Sequence, residues 1–439
     1  MENAATKPGA TASQADTGFR AVNPHCLARI VELSETHQVV ASDDIHDDRG
    51  NKLWAKGSPV SRDLRDKLLR RSLAQPLESS LSVERGATME SIVVDALAHI
   101  DENAVLSAVA GSNRARGLLR DMQKLVLPGP VKLLLTSARE NKQATYSHGL
   151  ATMIICAGLA SRLELSDHDA NMLTLAALVH DIGEMYINPE YLDTSKHLSP
   201  ANWKYVASHP CVGHAFIGEF TSFPSVVAAC VLHHHERLDG SGYPFQLGGK
   251  AIERLSAILA VADSVSAIAM RGGSGLRIRL EVALRIVPEE FDRSAASVIN
   301  HALQGLPAET YDAGRGGCLG RIVPILHQLT STTVAAEALV AATSSSVVNA
   351  TGRYVLSVLG NIEKSLRATG VFETIHLAAI ESDANIMGEI CLIVREISWR
   401  LRNMARNVHL RIEQTGNPEE MKSVGGLIAL LDPAAQAAD

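Results

Sequence analysis

From about residue 120 onward, apolar positions recur at the three- and four-residue intervals of helices, broken by polar, histidine-bearing junctions. The runs Met172-Leu173-Thr174-Leu175-Ala176-Ala177-Leu178-Val179 and Ile258-Leu259-Ala260-Val261-Ala262 are the strongest of these segments. Near the C-terminus, Ile386, Ile390, Ile393, Val394, Ile397, Leu401, Met404 and Val408 keep helical spacing on one face. That stripe predicts an internal bundle helix, which is preferred here over a dimerisation helix. Between His37 and Ala55 the text changes. Val39-Val40, then Asp47-Asp48-Arg49-Gly50-Asn51, then Leu53-Trp54 predict strand, turn, strand. Ser61 is placed to cap a short basic helix through Arg71, whose charges read as a solvated face.

These patterns divide the chain into four parts. Residues 1–20, rich in Ala, Thr, Ser and Gly, read as a disordered tail. Residues 21–115 form a small α+β accessory region, 120–320 a central helical domain, and 321–439 a helical C-terminal region. Internal repeats and long low-complexity tracts are absent from the sequence. The fold class expected is mainly α.

Composition narrows the picture. At 439 residues with 46% hydrophobic and 20% charged positions, the chain can bury a core and is not a disordered polymer. Aromatic residues make up only 4%, which agrees with a helical reading. No apolar run reaches the roughly 18 residues of a membrane span, and the first residues lack the charge and apolar core of a secretory signal. A net charge of −7 argues against a nucleic-acid surface. The six cysteines are scattered without a CxxC pair, so neither a disulfide framework nor a zinc ribbon is expected. A cytoplasmic protein that binds neither nucleic acid nor membrane is the expectation.

Histidine supplies the chemistry. Nine of the 17 histidines lie between His148 and His235. A lone histidine is usually a satisfied or solvent-facing residue, but such a concentration points to metal binding or phosphate chemistry. His148 is followed 32 residues later by His180-Asp181; His209 comes 28 residues after Asp181, His234 another 25 on, and Asp263 28 beyond His235. Each interval is a helix plus its connection, so each candidate comes from a different helix, and facing helices can converge such side chains on metal ions. Imidazoles mixed with carboxylates suit Fe, Mn, Ni or Zn better than Ca or Mg. An aspartate beside a histidine at a helix end can bridge two ions. Two ions about 3.5–4 Å apart polarise a phosphodiester and generate a hydroxide nucleophile near neutral pH.

Val179-His180-Asp181-Ile182-Gly183, followed by His234-His235-Glu236-Arg237-Leu238-Asp239-Gly240-Ser241-Gly242-Tyr243-Pro244, resembles the HD-GYP family, a branch of the HD-domain metal-dependent phosphohydrolases. The second motif is long and specific, and the resemblance covers roughly residues 120–320. It implies an HD-domain helical bundle, flanked here by the α+β N-terminal region and the helical C-terminal region. It further implies two or three bound metals, iron or manganese above all, and hydrolysis of cyclic di-GMP to pGpG or GMP. The metal ligands it implies are His148, His180, Asp181, His209, His234, His235 and Asp263, with Asp181 bridging and His180 and Asp181 at the catalytic centre. His233 is read as a bystander. Ala144 stands where some members carry a third-metal glutamate, which leaves two divalent ions. Gly240, Gly242, Tyr243 and Pro244 form a loop whose backbone can approach substrate closely; a plain turn is the bland alternative.

The departures concern cations. The lysine usual after His-Asp-Ile-Gly is Glu184, a further lysine is Thr194, and an arginine six residues before the late aspartate is Ala257. The usual second aspartate is Ser266. Arg254 and Arg271 are the substrate-binding candidates that remain near the motif, with Arg277 and Arg279 further on. Three functions stay open: a cyclic di-GMP phosphodiesterase; a phosphohydrolase of another cyclic dinucleotide or phosphate ester, favoured by the lost cations; and a degenerate metal-binding receptor or docking protein. The complete ligand set favours an enzyme, and a cyclic dinucleotide is the substrate that the resemblance implies. The flanks are expected to regulate it, to dimerise, or to dock a signalling partner.

Overall fold

A computed structural model of the protein describes residues 18–287, 289–306, 319–368 and 384–434. Residues 1–17 of the expected tail lie outside the described residues, as does the side chain of Ile386.

In chain order the first elements are α1 (Pro24–Leu33), β1 (Val39–Ala41), β2 (Ile45–His46), β3 (Lys52–Trp54), α2 (Arg62–Leu68) and β4 (Leu81–Val83). Helices α3 (Met89–Glu102), α4 (Ala104–Ala110), α5 (Asn113–Asp121), α6 (Gly129–Asn141), α7 (Gln143–Arg162) and α8 (Asp167–Val179) follow. Then come α9 (Pro189–Leu192), α10 (Pro200–Ala207), α11 (His209–Phe220), α12 (Ser225–His233), α13 (Arg254–Met270), α14 (Leu276–Arg285) and α15 (Arg293–Leu303). The remaining helices are α16 (Leu319–Ala342), α17 (Ser346–Ala368), α18 (Ala384–Glu413) and α19 (Pro418–Leu431). The mainly α class is what the sequence predicts.

Two compact units result: residues 1–87 with 127–142, and residues 88–126 with 143–439. Sequence texture alone divides the chain differently, because it does not show that α6 packs on α1 and β4 in the first unit. In that unit β1 pairs antiparallel with β4 and β2 with β3. The β2–β3 turn is tied by Asp47, whose Oδ1 accepts from the backbone of Arg49 and Asn51 at 3.1 and 2.8 Å. Gly50 takes φ +82° there, a left-handed conformation glycine adopts without steric cost.

In the second unit α7 packs against α8 and α13 as an almost wholly buried central helix, its polar ends excepted. Helix starts follow local signals. Ser166 caps α8 by accepting from Asp169, and Ser199 caps α10 by accepting from Asn202, with Pro200 in the first turn. The apolar stripe of α18 is buried: Ile390, Ile393, Val394, Ile397, Leu401, Met404 and Val408 share a core with α14, α16, α17 and α19. This helix therefore packs within the chain, as the internal-helix reading expects. Among the described residues no helix is long and apolar enough to cross a membrane. Cys26, Cys156, Cys211 and Cys230 are free thiols, whereas Cys391 is disulfide-bonded, which the scattered spacing did not foretell.

Candidate metal centre

Three of the expected ligands use one local device. His180 follows the last residue of α8, His209 opens α11 just after α10 ends, and His234 follows α12. The last carbonyls of a helix lack intrahelical partners. Each ring uses one of them: Nδ1 lies 2.7 Å from the Ala177 carbonyl in His180, 2.8 Å from Val206 in His209 and 2.7 Å from Val231 in His234. A carbonyl only accepts, so Nδ1 carries the hydrogen and Nε2 is left facing inward in each case.

His148 reaches the same place from the second turn of α7. Its Nδ1 lies 3.0 Å from the Ser266 hydroxyl, which donates to the Asp263 carbonyl at 2.8 Å. Ser266, the residue in place of the usual aspartate, thus orients a ligand ring. Gly183 explains the glycine after His-Asp-Ile: a Cβ there would overlap the His209 carbonyl, so only glycine lets the turn lie on the start of α11.

All seven expected ligands converge in two groups: His148, His180 and Asp263; and Asp181, His209, His234 and His235. Asp181 faces both. Its Oδ2 is 3.1 Å from His180 Nε2 and 3.5 Å from His148 Nε2, while its Oδ1 is 3.3 Å from His209 Nε2 and 3.4 Å from His234 Nε2. Asp263 likewise turns Oδ1 to His148 Nε2 at 3.0 Å and Oδ2 to His235 Nδ1 at 3.4 Å. The Nε2 atoms of His209 and His234 approach to 3.2 Å, and those of His148 and His180 to 3.3 Å.

This donor set fits divalent cations. Asp181 Oδ1 is buried without a hydrogen bond, and His209 and His234, whose Nδ1 hydrogens are committed to carbonyls, aim their other nitrogens at one point. Neutral rings so placed would set lone pair against lone pair. A positive charge between them removes the conflict. Without a cation, protons supply it. Burial opposes charge on His180, but the Asp181 and Asp263 carboxylates outweigh it and hold its pKa well above the ordinary value. His209 is raised against burial by Asp181. Burial drives His234 down to about 4 and His235 well below the usual range. The Asp181 carboxylate, countered by burial, is held well down by His180, and Asp263 by His235 and His148.

The Gly-Tyr-Pro loop braces this cluster. Tyr243 stacks on His235 with ring centroids 4.5 Å apart, and its backbone N–H donates to the His235 carbonyl. A Cβ on Gly242 would overlap the Glu236 Cα and the His235 carbonyl. Gly240, at φ +80°, and Pro244 complete the turn. Glu236, to which the sequence reading gave no role, is buried and accepts from Phe245 and Leu247 at 2.7 and 2.9 Å, closing the loop. Asn407 of α18, far away in sequence, donates to the Ser241 carbonyl at 2.6 Å. Glu184 sits among these groups, and burial followed by the Asp181 carboxylate pushes its pKa up to about 7.

Arg254 and Arg271 are not brought to the cluster. Both are exposed, and they stand nine and eight residues from Asp263 on opposite ends of α13, roughly 12–14 Å along the helix axis. His233, the expected bystander, lies outside both ligand groups.

Residues 132–293 match the model of the HD domain family. The chain is 30% identical over 187 residues to a cyclic di-GMP phosphodiesterase of Pseudomonas aeruginosa, covering 42% of this chain and 45% of that one. It is 30% identical to a 3'3'-cGAMP-specific phosphodiesterase of Vibrio cholerae, over 34% of each chain. It is also 36% identical to a cyclic di-GMP phosphodiesterase response regulator of Xanthomonas campestris, over 30% of this chain and 36% of that one. The matched part spans less than half the length of each of these relatives. With the His-Asp pair at 180–181 and the loop at 242–244, residues 132–293 are similar to HD domains and carry a Gly-Tyr-Pro run.

Proposed function

We propose that this protein is a metal-dependent phosphodiesterase that opens cyclic di-GMP to pGpG or GMP at a binuclear centre. The observation that carries this reading is the placement of Asp181, with one carboxylate oxygen facing His148 and His180 and the other facing His209 and His234. His148, His180 and Asp263 would hold one ion and His209, His234 and His235 the other, with Asp181 shared. Iron and manganese suit the mixed donors. Two such ions, when bound, supply Lewis-acid charge to a phosphodiester and a nucleophile derived from water near neutral pH.

The protein's own part is positioning. The carbonyl and Ser266 contacts fix the imidazoles before a cation arrives, so little reorganisation is left for binding. Asp181 and Asp263 bring negative charge that a cation neutralises. Tyr243 covers His235 and keeps water from one side of it. No nucleophilic side chain is needed.

The test is hydrolysis of cyclic di-GMP by protein purified without oxygen, with metals counted and iron or manganese supplied. Release of pGpG or GMP, lost together with metal in the His180→Ala/Asp181→Ala variant, is the expected result. Bound metal without product sinks this substrate. Glu184 supports a second reading, another phosphate ester as substrate, because a carboxyl group stands where a cation is usual.

A further inference from the structure

We propose that Arg406, on the C-terminal helix α18, binds substrate: its guanidinium, seated on the Trp203 indole, pairs with the phosphate of a cyclic dinucleotide that does not react. The inference rests on the cyclic-dinucleotide reading above. Such a substrate carries two phosphodiesters, and only one can lie at the cations. The second needs a positive partner, and the motif has lost several of the usual ones at Glu184, Thr194 and Ala257.

A path of rings leads from the ligands to Arg406. Tyr243 stacks on His235 at 4.5 Å, Trp203 meets Tyr243 edge-on at 5.2 Å, and the Arg406 guanidinium lies 4.6 Å from the Trp203 ring centre. Three other cations of this region are already engaged. Arg237 donates to the His234 and Glu236 carbonyls, Lys204 pairs with Glu413, and Arg400 pairs with Glu290 and Glu396. Arg406 has no carboxylate within 4 Å among the described residues. Its Nη1 donates to Asn403 at 3.1 Å, its Nη2 reaches the Leu198 carbonyl only at 3.4 Å, and its buried Nε has no partner. Guanidinium offers five donors in a fork that suits phosphate. A half-buried arginine with donors to spare, held flat by an aromatic ring beside a metal centre, is organised for an anion.

The experiment compares Arg406→Met and Arg406→Lys with wild type on two substrates, cyclic di-GMP and the small diester bis(4-nitrophenyl) phosphate, which engages the cations alone. Binding of cyclic di-GMP to chelator-treated protein is measured by calorimetry alongside. Arg406→Met should raise KM and Kd for cyclic di-GMP roughly 10- to 100-fold, the weight of one charge-assisted hydrogen bond. Its kcat, metal content and turnover of the small diester should stay near wild type, and Arg406→Lys should recover part of the loss. Unchanged KM and Kd in Arg406→Met overturns the inference, as does an equal loss on both substrates, which marks a packing role. Wild-type protein that cleaves the small diester but neither binds nor cleaves cyclic di-GMP overturns the substrate reading and the inference with it.

Discussion

The Ser266 hydroxyl accepts from His148 Nδ1 at 3.0 Å and so fixes which nitrogen His148 turns toward Asp181 and Asp263. Partners of this kind typically hold 10- to 100-fold in metal affinity. Ser266→Ala should weaken metal binding by about that factor with the fold intact, measured by competition with a chromogenic chelator. Undiminished affinity would mean that packing around α7 orients the ring unaided.

Gly242 touches backbone on two sides. Gly242→Ala must push the loop off Glu236 and His235, and should cost about 1–3 kcal/mol in thermal unfolding while lowering phosphodiester turnover. Gly218, in helix α11 with open space around it, is the control: Gly218→Ala should stabilise by about 0.5–1 kcal/mol.

Glu290 and Arg400 form a buried pair, Nη2 to Oε2 at 2.7 Å, with side chains only 5% and 7% exposed. Removing Arg400 leaves Glu290 only the more distant Arg237 guanidinium, 3.8 Å from its Oε1. Arg400→Met should destabilise by roughly 3–5 kcal/mol, and pairing it with Glu290→Met should recover most of that loss. Denaturant midpoints of the two variants decide the matter.

Asp47 gives a pH signature in the first unit. Its carboxylate is held below the usual value first by the Asn51 side chain, with backbone bonds from Asn51 and Arg49 adding to the effect. A depressed folded pKa contributes stability that is present above the ordinary aspartate value and lost as pH falls through the folded one. Amide exchange across residues 45–54 should therefore accelerate, beyond its intrinsic pH dependence, below about pH 4. Asp47→Asn should flatten that step; a step that persists assigns it to another carboxylate.

The convergence of the seven candidate side chains was legible because imidazoles and carboxylates recur at helix-length intervals, and because the Gly-Tyr-Pro run fixes the register of His234 and His235. Arg254 and Arg271 looked suitable by nearness in sequence, yet the rise of α13 carries both away from Asp263, which the same arithmetic applied to the sequence would have shown. Ser266 reads as a lost ligand until His148 is seen to use it. Glu236 stood inside the recognised motif, but its work is to accept backbone donors nine and eleven residues on, and no side-chain pattern encodes that. Arg406 and Asn407 were invisible in the sequence because they lie more than 160 residues from the loop, and only the packing of α18 brings them there.

That packing has a practical consequence for anyone who would excise the catalytic part. A fragment ending near residue 306 or 320 would keep every expected ligand. It would lose the Asn407 bond to Ser241, the Arg400 partner of Glu290, the Glu413 partner of Lys204 and the Asp432 partner of His197. It would also bare the faces of α10 and α14 that α18 covers. A truncated version that loses activity would therefore say nothing about regulation by the C-terminal region, because the cut removes contacts that hold the loop and the helices around the cluster.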